Sequence, residues 1–124
     1  MSTGTTKTLT TDTFTDTVKT EGIVLIDFWA EWCGPCKQFG PVFEKASGEN
    51  GDIVFGKVDT DAEPALGQAL NISSIPTLMA FRDGVMVFAQ PGAMTGPMLT
   101  DLIQQLRGLD MDEIHKKLAE DTGA

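Results

Sequence analysis

The chain has 124 residues, 41% of them hydrophobic and 22% charged, which fits one folded domain that buries its own core. The formal net charge of −9 repels phosphate backbones and anionic lipids, so nucleic acids and membrane surfaces are not expected as partners. The first residues are polar and show no secretory signal, and no apolar run is long enough to span a bilayer. We therefore expect a cytoplasmic monomer.

The first third of the chain predicts a helix and a strand. Thr11 or Asp12 can cap a short helix over residues 11–18, and a short strand at residues 7–10 can precede it. The run Ile23–Ala30 is almost continuously apolar, which is typical of a strand covered on both of its faces. This strand is therefore expected to be buried.

The middle of the chain continues the alternation of helices and strands. After Gly34-Pro35, apolar residues recur at the spacing of one helical face. Pro41 inside this stretch is expected to kink the helix, because proline lacks a backbone N–H. Ile53–Asp59 is then predicted to be a strand and Glu63–Ala69 a short helix. Strand–helix–strand units of this kind give parallel neighbouring strands.

The next segment predicts a β-hairpin followed by a helix. The strands Thr77–Arg82 and Val85–Ala89 flank Asp83-Gly84, a dipeptide typical of tight hairpin turns. A helix is predicted from Thr95 onward. Its apolar face consists of Leu99, Leu102, Ile103 and Leu106. Because the hairpin adds antiparallel strands, we expect an α/β fold with a mixed central sheet and helices on both faces.

A further helix is predicted near the carboxyl terminus. Asp110 and Glu113 stand at the spacing of a capping box, and Leu109 and Ile114 at that of a hydrophobic staple. These two signals together mark the start of a helix that either docks on the domain or extends the preceding helix.

The chain is expected to divide into three segments. A flexible amino terminus of residues 1–6 precedes one domain of residues 7–107, and a helical extension of residues 108–124 follows it. The extension is expected to fray from Asp121 onward, because its last residues are polar.

The stretch Trp32-Cys33-Gly34-Pro35-Cys36 carries the chemistry. If the helix begins near Cys33, both cysteines lie on one helical face, one turn apart, which is close enough for a disulfide. Unpaired N–H groups and the helix dipole then stabilise a Cys33 thiolate, while Cys36 is more shielded and keeps its proton longer. Cys33 can therefore attack a substrate disulfide, and Cys36 can resolve the mixed disulfide. Gly34 lets a partner chain approach, and Pro35 stiffens the turn.

Two other uses of the cysteines compete with redox chemistry. A structural zinc site needs about four ligands, and beside Cys33 and Cys36 the chain offers His115, which is far along the sequence. A purely structural disulfide would close a very short loop, for which the stabilisation from loop closure is smallest. Redox chemistry is therefore the preferred interpretation, and no metal is expected.

The residues around the cysteines resemble the active site of the thioredoxin family. The resemblance lies in Asp27–Lys37 and covers roughly Phe14–Leu106. Further matches follow in the expected order at Lys57-Val58-Asp59, Ile75-Pro76-Thr77, Asp83-Gly84 and Gly92-Ala93. The resemblance implies a thioredoxin fold and a thiol–disulfide oxidoreductase that reduces protein disulfides in general.

The resemblance also implies how the dithiol is regenerated. In this family a flavin-containing thioredoxin reductase passes on electrons from NADPH, and the thioredoxin itself binds no cofactor. The expected partners are therefore thioredoxin reductase and disulfide-containing proteins. Gly34-Pro35 matches the reducing members, whereas isomerases and strong oxidants of the superfamily usually carry His in that dipeptide.

Asp27 is a carboxyl group in the middle of an apolar strand, so burial is expected to raise its pKa. In thioredoxins the matching Asp helps to deprotonate the second cysteine, which implies this role for Asp27 toward Cys36. The alternative is an acid that reaches solvent at the strand end. The resemblance also implies that Lys57 is a charge neighbour of Asp27 and tunes the redox pair, although a plain surface lysine fits the sequence equally well.

The resemblance further implies a docking surface around Cys33. Pro76 matches the family's cis-proline, whose loop offers backbone to an extended substrate, whereas an ordinary trans proline is the more common case. The flat apolar rim implied around Cys33 is completed by Trp32, Ile75, Gly92 and Ala93.

Two features depart from the family pattern. Pro91 removes a backbone N–H beside Gly92, where β-forming residues are common, and this change can alter partner choice. The extension after Leu109 goes beyond the usual end of the family and resembles that of some bacterial members.

Two competing functions follow from the same motif. One is a thiol-independent interaction subunit or holdase that uses the same rim, and the other is an oxidant or isomerase. The sequence favours the reductase, because idle thiols would not need Asp27 behind them.

Overall fold

A computed structural model of the chain describes residues 6–122. The strands of this part are β1 (Lys7–Thr8), β2 (Ile23–Trp29), β3 (Val54–Asp59), β4 (Thr77–Arg82) and β5 (Val85–Pro91). The helices are α1 (Thr11–Val18), α2 (Gly34–Glu49), α3 (Pro64–Ala69), α4 (Gly96–Arg107) and α5 (Met111–Thr122). The predicted alternation of helices and strands is confirmed.

The five strands form one mixed sheet in the order β1-β3-β2-β4-β5. β2 lies at its centre, parallel to β3 and antiparallel to β4, and β4 and β5 form the closing hairpin. Successive residues of β2 point to opposite faces of the sheet, as the period of a strand requires. Leu25 packs with Phe43 of α2 and Leu99 of α4, whereas Ile26 packs with Phe14 of α1 and with residues of α3. Helices therefore cover both faces, and the expected fold class is confirmed.

Some boundaries differ from the prediction. The N-cap of α1 is Thr10, whose N–H donates to the hydroxyl of Thr13 at 2.9 Å, so the expectation of Thr11 or Asp12 was wrong. The strand expected at residues 7–10 has two residues, Lys7 and Thr8, which pair with Gly56 and Lys57 of β3. Residues 1–5 of the expected flexible terminus lie outside the described residues, and Thr6 donates to the carboxylate of Glu44.

Strand β5 continues through Pro91, two residues beyond the predicted end. The N–H of Gly92 donates to the carbonyl oxygen of Pro76 at 2.8 Å, which makes Thr77 and Pro91 a non-hydrogen-bonded pair of the ladder. The missing N–H of Pro91 therefore faces the open edge of the sheet, and the proline costs no ladder hydrogen bond.

The predicted carboxyl-terminal helix is present as α5 and runs to Thr122. The carboxylate of Asp110 accepts the N–H of Glu113 at 3.1 Å and caps its first turn. Leu109 packs against the core on the α4 side of the sheet, and Met111 is buried. α5 is therefore attached to the body at its start.

Candidate active site

The two cysteines lie where β2 ends and α2 begins. Cys33 is the N-cap of α2, and Gly34 and Pro35 form the first helical positions. The sulfurs of Cys33 and Cys36 are joined as a disulfide, with 5.3 Å between the Cα atoms. The backbone N–H of Cys36 donates to Sγ of Cys33 at 3.2 Å. When the pair is reduced, this N–H and the helix N-terminus stabilise negative charge on the Cys33 sulfur.

The two cysteines are equally buried, with exposed fractions of 3% for Cys33 and 4% for Cys36. The expectation that Cys36 is more shielded than Cys33 is therefore wrong for the disulfide form. Both residues pack with Ala30, and Trp29 and Ile75 cover the pair. Sγ of Cys33 lies 3.7 Å from the carbonyl oxygen of Ile75, so the neighbouring loop shields this sulfur. The difference between the cysteines lies in their hydrogen-bonding surroundings and not in their exposure.

Asp27 is fully buried at the centre of β2. Its register neighbours are Lys57 on β3 and Leu78 on β4. Both carboxylate oxygens lack a hydrogen-bond partner among the described residues. Burial raises the pKa of Asp27 from 3.8 to about 7, and the positive charge of Lys57 opposes that rise in part. The alternative of a solvent-exposed acid is therefore wrong.

Lys57 is half-buried between the sheet and the amino-terminal part of α2. Its Nζ lies 5.3 Å from the ring centroid of Trp29, which is half-buried although it belongs to the strand that was expected to be buried. A cavity of about 180 Å³ joins this ammonium group to the second cysteine. The cavity is lined by Trp29, Ala30, Glu31, Cys36, Lys37, Gly40 and Lys57. It is large enough to hold water between Cys36 and Lys57.

Of the residues expected to form the docking rim, Ile75 contacts Cys33, and Gly92 is linked to it through Pro76. The Ile75–Pro76 peptide bond is cis. The backbone N–H of Gly92, a residue with φ of +106°, donates a hydrogen bond to the carbonyl oxygen of Pro76. Gly92 and Ala93 are exposed, and Ile75 is half-buried beside Cys33. The structure thus brings the loop before β4 and the turn after β5 together at the cysteines.

Trp32 is the most exposed large apolar side chain at this rim, with 70% of its surface accessible. Its indole Nε1–H donates to Oδ2 of Asp61 at 2.9 Å. Sequence reasoning did not assign Asp61 to the site. The available signal was its position just past the carboxyl end of β3, the edge at which α/β proteins place their sites.

A groove of about 360 Å³ opens beside Trp32, between the β3–α3 connection and the loop before β4. The residues that line it are Trp32, Thr60, Pro64, Gly67, Gln68, Ile72, Ser73, Ser74 and Ile75. The groove reaches the disulfide through Ile75, which touches Cys33. A polypeptide that lies along it can therefore present a disulfide to the first cysteine.

Within residues 6–122 no helix is long and apolar enough to cross a membrane. The same part of the chain contains no group of three or more His, Cys, Asp or Glu residues that could hold a metal ion.

Comparison with known proteins places this site in context. A family model described as thioredoxin matches residues 5–106. The protein named "Putative thioredoxin 2" of Streptomyces coelicolor is 64% identical over 112 residues, which cover 90% of this chain and 84% of that protein. Thioredoxin of Chlamydia caviae is 46% identical over 84 residues, which cover 68% of this chain and 82% of that protein.

Solved structures agree with this relationship. The crystal structure of Malassezia sympodialis thioredoxin has 37% identity and a TM-score of 0.75, and it covers 85% of this chain and 93% of that one. The structure of Plasmodium falciparum thioredoxin has 35% identity and a TM-score of 0.73, and it covers 80% of this chain and 97% of that one. The fold is therefore the one that these structures share.

Proposed function

The chain belongs to the thioredoxin family of thiol–disulfide oxidoreductases, and from this premise we propose that it is a general reductase of protein disulfides. The observation that carries the proposal is the Cys36 N–H aimed at Sγ of Cys33, at the amino end of α2. This arrangement stabilises the thiolate that attacks a disulfide. The rim around it offers Trp32 and the Ile75–Pro76 loop to a substrate chain.

The first step forms a mixed disulfide. The Cys33 thiolate attacks one sulfur of the substrate disulfide, the substrate S–S bond breaks, and the released substrate thiolate takes up a proton. Sγ of Cys33 is then bonded to the remaining substrate sulfur. The hydrogen bond between Gly92 and Pro76 holds the turn after β5 against the loop before β4, next to the mixed disulfide.

The second step releases the substrate. The Cys36 thiolate attacks Sγ of Cys33, the bond to the substrate breaks, and the second substrate sulfur leaves as a thiolate that takes up a proton. Two electrons have then passed from the dithiol to the substrate, and the protein is left with the disulfide seen here. In this proposal Asp27 accepts the proton of Cys36 through water. Lys57, the register neighbour of Asp27 on β3, lines the cavity beside Cys36 in which such water can lie.

The proposal includes regeneration of the dithiol. A flavin-containing thioredoxin reductase supplies electrons from NADPH, and the chain binds no cofactor of its own. Gly34, Pro35 and Lys57 tune the redox pair. In this proposal the chain works as a cytoplasmic monomer whose domain spans residues 7–107, with residues 108–124 as an extension, and its partners are the reductase and disulfide-containing proteins.

Insulin reduction with dithiothreitol as the electron donor tests the proposal. We expect the chain to accelerate insulin reduction well above the dithiothreitol background, and Cys33→Ser to abolish the acceleration. Cys36→Ser is expected to trap substrates as mixed disulfides on Cys33, which are visible on non-reducing gels. A wild-type rate equal to the background would contradict the proposal and would favour a thiol-independent binding module.

A further inference from the structure

Three carboxylates lie at the end of β3 and on the connection that follows it, and two of them bond to other groups of the chain. Oδ1 of Asp59 accepts the N–H groups of Asp61 and Ala62 at 2.9 and 3.3 Å. Oε1 of Glu63 accepts the N–H and the hydroxyl of Thr11, both at 2.8 Å, and these bonds lower the pKa of Glu63. Both side chains therefore hold the connection in place.

Asp61 is the third carboxylate, and it turns toward the rim. Its Oδ2 accepts the indole N–H of Trp32, and its side chain is exposed. The ion pairs within 4.0 Å in residues 6–122 are Arg82–Asp83 and Arg107–Asp52, so the described part of the chain gives Asp61 no cation. A negative charge thus stands at the edge of the substrate groove without an internal counter-charge.

The groove beside this charge has the shape and chemistry for a long side chain. None of the residues lining it is charged. Trp32, Ile72 and Ile75 offer apolar surface for a hydrocarbon stem. The basic residues near the cysteines, Lys37 and Lys57, line the separate cavity next to Cys36.

We propose that this groove takes a lysine or arginine side chain of the substrate protein, located close to its reactive disulfide. The methylene stem lies against the apolar wall, and the cation sits at the carboxylate of Asp61 and the ring of Trp32. An acidic side chain of a substrate at the same place is repelled by Asp61 and by the net charge of −9 on the chain. The inference rests on the proposed function, because it names the substrate class of that same site.

Matched disulfide peptides test this preference. Three peptides, each closed by one intramolecular disulfide, differ in the single residue next to a half-cystine, which is Lys, Gln or Glu. The reduced full-length chain is mixed with each peptide, and the rate of peptide thiol formation is measured in a single turnover. Each rate is divided by that of dithiothreitol on the same peptide, which removes the intrinsic reactivity of the disulfide.

The wild-type chain is expected to reduce the Lys peptide about fivefold faster than the Glu peptide after this correction, with Gln between them. The ratio should fall as salt is raised from 0.02 M to 0.5 M, because the pair is exposed and therefore screened. Asp61→Asn keeps an oxygen acceptor for Trp32 but removes the charge, so its Lys-to-Glu ratio should approach one. Asp101→Asn changes the net charge equally on α4 and should keep the wild-type ratio.

The outcomes separate the two proposals. If the wild-type chain reduces all three peptides at equal corrected rates, or if Asp61→Asn keeps the preference, the cation site is refuted while the reductase function stands. If the preference falls equally in Asp61→Asn and Asp101→Asn, net charge and not the groove is responsible, and the inference is also refuted. If none of the peptides is reduced, the reductase proposal itself fails and the inference fails with it.

Discussion

At the scale of single residues, Asp27 is an ionisable side chain that is fully buried. Its carboxyl group lies inside the sheet, without a hydrogen-bond partner in the described part of the chain. Ionising such a group costs free energy, which the nearby Lys57 ammonium offsets in part. The group is therefore half ionised near pH 7, where a catalytic base is most useful.

The raised pKa of Asp27 predicts how stability depends on pH. Between pH 4 and 7 the folded state holds a proton on Asp27 that the unfolded state has lost, so the free energy of unfolding falls as pH rises. A rise from 3.8 to about 7 corresponds to a loss of about 4 kcal/mol over this range. The measurement is urea unfolding of the oxidised chain at pH 5, 6, 7 and 8.

Asp27→Asn cannot ionise and is the matched comparison. Its stability should lack this fall between pH 5 and 7, so the difference between variant and wild type should grow with pH and level off above about pH 7. The pKa values of Asp52 and Glu63 are lowered, so these groups lose their stabilisation as the pH falls below their ordinary pKa values. This effect has the opposite sense and occurs at lower pH than that of Asp27. Parallel pH curves for the two proteins would show that the Asp27 pKa is not raised.

The same substitution predicts a change in the resolution step. A base works only when it is ionised, so release of the substrate from the mixed disulfide should accelerate as pH rises through about 7. Asp27→Asn should slow this release by about 100-fold at pH 7.5 and remove the inflection. Stopped-flow measurement of both steps is the test, with the first attack by Cys33 as the internal control. Equal release rates in both proteins would exclude Asp27 as the base.

At the scale of elements, the close approach of β3 to the segment after β1 depends on a glycine. A Cβ atom added to Gly56 would lie 2.6 Å from Cδ1 of Leu9 and 3.1 Å from Cδ1 of Ile26. Both of these side chains are buried in the core on the α1 side of the sheet, so they have little space into which to move. The glycine therefore makes room for the side chains of Leu9 and Ile26 against this face of β3.

Gly56→Ala is accordingly expected to destabilise the chain by about 1–3 kcal/mol, because it overpacks the core. Gly67→Ala is the matched control, since a Cβ atom there meets nothing within 4 Å and α3 is helical. The control should be neutral or stabilising by up to about 1 kcal/mol. Chemical denaturation compares them, and equal stabilities would mean that Leu9 can move aside at no cost.

At the scale of the whole molecule, the carboxyl-terminal extension and the active site lie at opposite ends of the sheet. Arg82 donates to the carbonyl oxygens of Leu106 and Leu109, and it pairs in register with Ile23 at the start of β2. Cys33 follows the other end of that strand. The extension should therefore contribute to stability and not to catalysis.

Removal of residues 109–124 tests this separation. Loss of Leu109 and the buried Met111 should lower the free energy of unfolding by about 2–4 kcal/mol. The insulin reduction rate should remain that of the full chain at temperatures where the shortened chain is folded. Leu109→Ala with Met111→Ala in the full chain should reproduce most of the loss in stability. A large loss of reductase rate in the folded shortened chain would show that the extension takes part in substrate binding.

The sequence by itself determined the features that depend on neighbours in the chain. Cys33 and Cys36 are one helical turn apart wherever the helix begins nearby, and the apolar run of β2 has to be buried on both faces. Asp83 and Gly84 both have positive φ, at 52° and 83°, which the sequence Asp-Gly favours in a hairpin turn. Local spacing and burial suffice for such features.

Only the tertiary structure decided the features that join distant segments. The hydrogen bond between Trp32 and Asp61 joins residues that are 29 positions apart in the sequence. It depends on the parallel alignment of β2 and β3, which brings the ends of both strands to the same edge of the sheet. The burial of Cys33 depends on the loop at Ile75, 42 positions away. These contacts arise from packing between elements whose pairing no local pattern encodes, so sequence reasoning found the two sulfurs but missed the carboxylate that stands beside them.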